Sequence, residues 1–209
     1  MILYSTPPLS QAYKTYALTA VVSPVTAQEL ADWLSLDDNT HPVLNPILLA
    51  CTSYMIERLQ SELIARDRVV IYQHFPTIGN TAQINLGQTG AMREREIKLP
   101  YARLLSVSSV ELYGGAYTDY VIQQTTPATL FIEDIPALVD DYQDPAIAVQ
   151  YEAGFGALAA DVPEVIRVAI TMMAAYMFAH RGACDALSAF GNSGARELVT
   201  PYMAEVIAI

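Results

Sequence analysis

Three histidines, His41, His74 and His180, are the only imidazoles in the chain. None stands in a spacing such as His-Glu-x-x-His, which puts two ligand nitrogens on one helix face. His41 precedes Pro42 in a polar loop, His74 falls in a β-rich run, and His180 closes an apolar helix, where a cation suits the helix dipole. A serine nucleophile of the elbow type needs a strand leading into Gly-x-Ser-x-Gly. Gly191-Asn-Ser-Gly194 has the wrong spacing and no strand before it, so it reads as a hinge. Gly154-Phe-Gly156 lacks the third glycine of a dinucleotide fingerprint and reads as turn chemistry. An enzyme or small-ligand binder would need a convergent set such as His74, Asp119 and Ser108, and their spacing does not predict convergence. The sequence reading therefore expects no catalytic residue, no metal ligands and no cofactor.

The remaining clusters point to contact rather than reaction. Arg93, Arg95, Lys98 and Arg103 form one basic group interleaved with Glu94 and Glu96. On a strand Arg93, Arg95 and Ile97 would share one face and the glutamates the other, which suits a solvated hairpin or an interface with an acidic neighbour, such as a second copy of the chain. Met172, Met173, Tyr176 and Met177 lie on a helix apolar all round and read as core. Cys51 and Cys184 sit in apolar helical patterns, where a free thiol behaves as a small hydrophobe.

Composition narrows the class further. Of 209 residues 53% are hydrophobic and 16% charged, against about 25% charged in an ordinary soluble domain. Either the core is unusually large or other subunits cover part of the surface. The net charge of −11 argues against nucleic-acid affinity, which comes from clustered Lys and Arg. Up to Arg103 there are 8 basic and 9 acidic residues; beyond it there are 3 and 13. The N-terminus lacks the pattern of a signal peptide. The longest uncharged helical run, Val168 to Ala179, is well short of the roughly 20 residues of a bilayer span. The expectation is a soluble protein made in the cytosol, with no membrane partner.

The elements that must position these groups change period along the chain. Residues 1–22 read as an arm, with Pro7-Pro8 and scattered tyrosines. Thr26-Ala-Gln-Glu29 is a capping box, with Val25 able to staple against Leu30, and starts a short helix with Leu30, Trp33 and Leu34 on one face. Asn45 and Pro46 open a second, amphipathic helix that places Leu48, Cys51, Met55, Leu59 and Leu63 on one side and runs to about Arg66. From Val69 to Tyr151 six short β-rich runs alternate with turns. Within that region 77–96 reads as a polar loop or hairpin and 133–145 as an acidic connector. A third helix follows Pro163, interrupted only by Arg167 and Thr171, and should sit at the centre of a bundle. A short helix ends near Phe190, 191–194 is a break, and 195–209 is a last helical stretch interrupted at Thr200-Pro201. The fold expected is α+β: mainly an α-helical bundle, built from 23–67 plus 157–190, with an inserted β-strand and hairpin lobe over 68–156, an N-terminal arm over 1–22 and a hinged C-terminal segment over 191–209.

In this order the pieces resemble the head-to-tail connector (adaptor) proteins of tailed bacteriophages. The likeness rests on Val25-Thr-Ala-Gln-Glu-Leu-Ala-Asp-Trp-Leu34 with Leu36-Asp-Asp38, and on the second helix. It continues through Ile97-Lys-Leu-Pro100, Val107-Ser-Ser-Val-Glu-Leu-Tyr113, Val149-Gln-Tyr-Glu-Ala-Gly-Phe-Gly156, Val162-Pro-Glu-Val-Ile-Arg-Val-Ala-Ile170 and Glu197-Leu-Val-Thr-Pro-Tyr202. It covers roughly 25–203, although the β insertion is longer than the family's short version and the first 22 residues have no counterpart. The resemblance implies a virion neck protein: a homo-oligomeric ring, commonly of twelve subunits, between the portal protein and a tail-side neck or stopper protein, with DNA passing through without sequence-specific binding. It also implies that the C-terminal segment docks on the portal, for which the anchors are Leu198, Tyr202, Met203, Val206 and Ile207. Another neck or tail ring, a tail completion or terminator protein, is the competing reading; a fold dominated by a sheet with no long central helix would favour it.

Overall fold

Thr26 begins the first helix, α1 (Ala27–Trp33), by the reciprocal bonding its sequence predicts. The Thr26 hydroxyl accepts from the Glu29 backbone N–H at 3.2 Å, and the Glu29 carboxylate accepts from the Thr26 N–H at 2.7 Å. Val25 and Leu30 are both buried in the same core, as a staple requires. The expected face needs one correction. Leu30 is fully buried, but Trp33 is 55% exposed. At about 100° per residue Ala27, Leu30, Ala31 and Leu34 share one arc, and Trp33 lies about 60° beyond its edge.

The structure, a computed structural model, describes residues 13–72, 95–101, 103–125, 127–132, 147–182 and 184–207, with side chains of 95, 96 and 204–207 left out. The expectations for residues 1–12, for 77–94 and for 133–145 lie outside these.

Helix α2 (Leu44–Leu59) starts one residue before Asn45 and has no side-chain cap. It stops well short of Arg66, because Gln60 turns left-handed at φ 45° and its N–H bonds Ile56 O. Leu63, read as a last helical rung, is still buried. It reaches the core from an extended segment whose backbone pairs with the loop after the sheet: Phe155 N donates to Leu63 O and Ala65 N to Gly156 O. That pairing explains Gly154, and the Asp161 side chain explains Gly156. At Gly154, with φ +149°, a Cβ would lie 2.7 Å from Ala65 N, and at Gly156 it would lie 2.4 Å from Asp161 Oδ2.

Helix α3 (Glu164–Ala179), after a 3-10 turn (Ala159–Asp161), packs on α1, α2, α4 (Ala186–Asn192) and α5 (Ala195–Ile207), so it occupies the centre of the helical group. Pro163 is its N-cap, where the chain is still extended. Thr171 is buried and bonds back to Arg167 O at 3.0 Å, which satisfies its hydroxyl within the helix. The expected break over 191–194 is shorter: Gly191 and Asn192 belong to α4, and only Ser193 and Gly194 separate it from α5. Helix α5 continues through Pro201 rather than breaking there.

The strands are β1 (Tyr13–Ala17), β2 (Arg66–Tyr72), β3 (Arg95–Lys98), β4 (Leu104–Leu112), β5 (Gly115–Ala116), β6 (Tyr120–Gln123), β7 (Thr129–Ile132) and β8 (Ile147–Ala153). Among the described residues these strands pair antiparallel throughout, in a five-stranded sheet of order β1-β2-β8-β4-β5 and a three-stranded sheet of order β3-β7-β6. Strands β2 and β8 alternate buried and half-buried side chains, the signature of one covered face. Val70, Tyr72, Val149 and Tyr151 from one sheet share an apolar cluster with Ile97, Leu130 and Ile132 from the other. Buried tyrosines need partners for their hydroxyls; Tyr72 donates to Lys98 O and Tyr151 to Pro100 O, both at 2.5 Å. β1 and β5 were not legible as strands. Among the described residues helices make up 39% and strands 28%, so the fold is mixed α+β, and the β part weighs more than an inserted lobe in a mainly helical bundle implies.

Candidate functional site

The two apolar cores meet at a polar joint that no sequence motif announces. Glu62, in the turn after α2, is buried, and its carboxylate accepts from Arg68 Nη1 on β2 and from Arg66 Nη1 at 3.4 Å. The Arg68 guanidinium lies 3.4 Å from the centroid of the Tyr101 ring. Tyr101 in turn donates from its hydroxyl to Glu57 Oε1 on α2 at 2.9 Å. Burial, and then the Glu57 hydrogen bond, push the Tyr101 hydroxyl up to about 12, so it remains a protonated donor at neutral pH. Its backbone is in the left-handed region at φ 61°, costly for an aromatic residue. Arg68 Nε is buried without a hydrogen-bond partner. On the far side Arg66 donates to Thr19 O at 2.8 and 2.5 Å, which ties the segment after β1 to the joint. This arrangement neutralises and positions; it couples the end of α2, the start of β2, the β3–β4 connection and residue 19. Beside it opens a cleft of about 230 Å³ walled by Val22, Ile56, Ile64 and Glu62.

A second joint fixes α1 to α3. Arg167 donates to Glu29, to Glu164 Oε2 at 2.7 Å and to Pro24 O at 3.2 Å. The Thr26 backbone N–H bond is the largest influence holding the Glu29 carboxyl below its ordinary value, with Thr26 hydroxyl and Arg167 adding to it against partial desolvation.

The expected C-terminal anchors divide. Leu198, Tyr202 and Met203 are partly buried against the chain's own helical core, and Ala195 and Val199 on the same helix are fully buried in it. Val206 lies in the last turn of α5 and Ile207 ends it, with side chains outside the described set. Of the basic group, Lys98 is half-buried on β3. The Arg103 guanidinium lies 4.1 Å from the Phe155 ring centroid. Arg95 is on β3 with its side chain not described, and Arg93 lies outside the described residues. Ser108 and Asp119 are exposed on β4 and in the loop before β6, and His74 lies outside the described residues. His41 meets Phe178 edge-on, and His180 stacks on Tyr176 and contacts Tyr176 O at 2.9 Å.

Cys51 and Cys184 are free, and the Cys51 thiol, pushed up to about 12 by burial, contacts Met177 Sδ at 3.5 Å. Among the described residues no group of three or more His, Cys, Asp or Glu could hold a metal ion. Among the same residues no helix is long and apolar enough to cross a membrane.

Neither a family model nor a curated relative matches the chain. Solved structures do. A chain in the neck of an empty GTA particle, computed with C6 symmetry, superposes with a TM-score of 0.62 at 16% identity, over 86% of this chain and 94% of that one. A chain in the neck of a native GTA particle, computed with C12 symmetry, gives 0.55 at 17%, over 86% and 94%. A chain in the virion of a native gene transfer agent particle gives 0.53 at 17%, over 85% and 93%. The similarity spans both the helical and the β parts, so this chain shares the fold of a neck protein of phage-like particles along nearly its whole length.

Proposed function

We propose that the chain is a structural protein of the virion neck, a head-to-tail connector (adaptor) made in the host cytoplasm. Copies of it, twelve in number, form a ring between the portal protein and a tail-side neck or stopper protein. DNA passes through the centre without sequence-specific binding. One observation carries this reading: the fold shared with GTA neck chains over 86% of this chain and 94% of the neck chain. The sixteen-residue α3 at the centre of the helices favours it over a tail completion or terminator protein built on a sheet.

The work of such a protein is contact, and no catalytic step is assigned to it. Its ring subunits bury apolar surface against one another, as obligate assemblies do. The last turn of α5, with Val206 and Ile207, docks on the portal, while Leu198, Tyr202 and Met203 hold that helix to the subunit. Arg93, Arg95, Lys98 and Arg103 face an acidic neighbour, a second copy in the ring. Carboxylates of the acidic second half line the channel and repel DNA within about 8 Å of the wall, so the DNA slides. Electron microscopy of the purified protein mixed with a portal ring tests the reading. A ring seated on the portal is expected, and a protein that stays a dispersed monomer beside the portal overturns it.

A further inference from the structure

No residue of β1 is buried, and its packing among the described elements is on β2. Neither apolar core takes a side chain from it. Val21 is the first residue after the strand to pack against a core, and Val25 the first to be buried in one. Leu18, Thr19 and Ala20 in between are exposed. A cleft of about 230 Å³ keeps this segment off the body of the subunit, with Thr19, Ala20 and Val22 on one side and Ile56, Ile64 and Ala65 on the other. Atoms that line such a gap forgo dispersion contacts across it. Residues 13–20 are therefore held by bonding to β2 rather than by burial. Leu18 N donates to Asp67 O at 2.9 Å, Arg68 Nη2 donates to Thr15 Oγ1 at 3.5 Å, and the Tyr13 ring lies 5.5 Å from that of Tyr72.

Arg66 fixes the far end of the segment. Its Nε and Nη2 both donate to Thr19 O, at 2.8 and 2.5 Å, while Nη1 stands 3.4 Å from both oxygens of the buried Glu62 carboxylate. One planar guanidinium thus ties an exposed backbone carbonyl to a carboxylate anchored in the joint between the cores. The rest of the sheet does not lean on β1, because β2 pairs with β8 over seven positions, from Arg66 to Tyr72. Segments with little buried apolar contact are the ones that open below the free energy of global unfolding. We infer that residues 13–20 are a releasable clasp, a unit that opens from β2 while both cores stay folded, with Arg66 as its latch. Opening turns the five-stranded sheet into a four-stranded one whose edge is β2. The clasp belongs to the subunit itself and is independent of the ring reading.

The ladder itself supplies the test. The bond from Leu18 N to Asp67 O makes that opposed pair a hydrogen-bonded one, and along an antiparallel ladder such pairs alternate. The N–H groups of Val69 and Ile71 therefore face β1, and that of Val70 faces β8. Native-state hydrogen exchange follows each of them, read residue by residue by NMR on the dispersed full chain, over urea concentrations below the unfolding transition. Tyr16, Leu18, Val69 and Ile71 are expected to exchange roughly tenfold or more faster than Val70 and than Ile170 in α3, with a shallower dependence on urea because little surface is exposed. Equal rates and slopes for all of them overturn the clasp, and so does a Val70 that exchanges with its β2 neighbours. Arg66→Lys tests the latch, since lysine keeps the charge beside Glu62 but has no fork to span both partners. It should speed the first four amides roughly tenfold relative to Ile170. An unchanged ratio overturns Arg66 as the latch.

Discussion

Glu62 is the residue whose loss the molecule should feel most. Its carboxylate is buried between Arg68 and Arg66, and Arg68 already carries one unpaired buried N–H. Removing one partner of a buried pair leaves the other charge uncompensated, a cost of about 3–5 kcal/mol, whereas replacing both by apolar side chains of similar size is often near neutral. Glu62→Ala should therefore lower stability to urea by about 3 kcal/mol or more, and Glu62→Met combined with Arg68→Leu should recover most of it. Denaturant midpoints of the three proteins check this. Glu29 makes the corresponding prediction for pH. Its folded-state carboxyl is held below the ordinary value, so its contribution is complete above the unfolded value and is lost as pH falls through the lowered folded one. Glu29→Gln should flatten the acid limb of the stability curve in that window and leave the neutral side with only the lost cap and ion pair.

At the scale of elements, α5 is the helix whose two ends should behave differently. Ala195 and Val199 are fully buried against α3 and α4, and Leu198 packs beside them. Val199→Asp should thus destabilise the subunit itself by roughly 3 kcal/mol or more through an unpaired buried charge, read as a lower thermal midpoint. Val206→Asp with Ile207→Asp, in the last turn, should abolish co-sedimentation with the portal, with the thermal midpoint read alongside as the control for folding. Retained co-sedimentation would remove the docking role. Deleting 195–209 whole cannot separate these effects, because it strips the core of Val199. Pro201 inside α5 leaves the carbonyl four residues earlier without a helical donor; packing on α3 on one side holds the helix through it.

The whole molecule carries a net charge of −11, which the proposed ring would have to overcome wherever copies meet. Like-charged subunits repel, and the repulsion is screened as salt rises, with a screening length of about 10 Å at 0.1 M and 3 Å at 1 M. If apolar contact drives the ring, sedimentation velocity should show self-association tightening as salt is raised from low to moderate concentration. Association that weakens with salt would instead put the basic group around Lys98 and Arg103 in command of the interface.

How much of this was legible in the residues follows from range. The capping box at Thr26 and Glu29, the period of α2 and α3, and the limits of β7 depend on neighbours a few positions apart, and local bonding settled them. The same holds for composition: the apolar surplus and the acidic second half were visible without coordinates. What required the tertiary structure was every pairing across long separations. β1 has no apolar period of its own and becomes a strand only because β2 offers an edge. α2 ends at Gln60 because Leu63 and Ala65 are claimed by the loop at Phe155 and Gly156. Glu62, Arg68, Tyr101 and Glu57 come from separate elements and carry no common spacing, so the joint between the two cores could be seen only once the chain had brought them together. Local periodicity fixes which surface is apolar; only the folded arrangement decides which of that surface stays uncovered and available to another subunit.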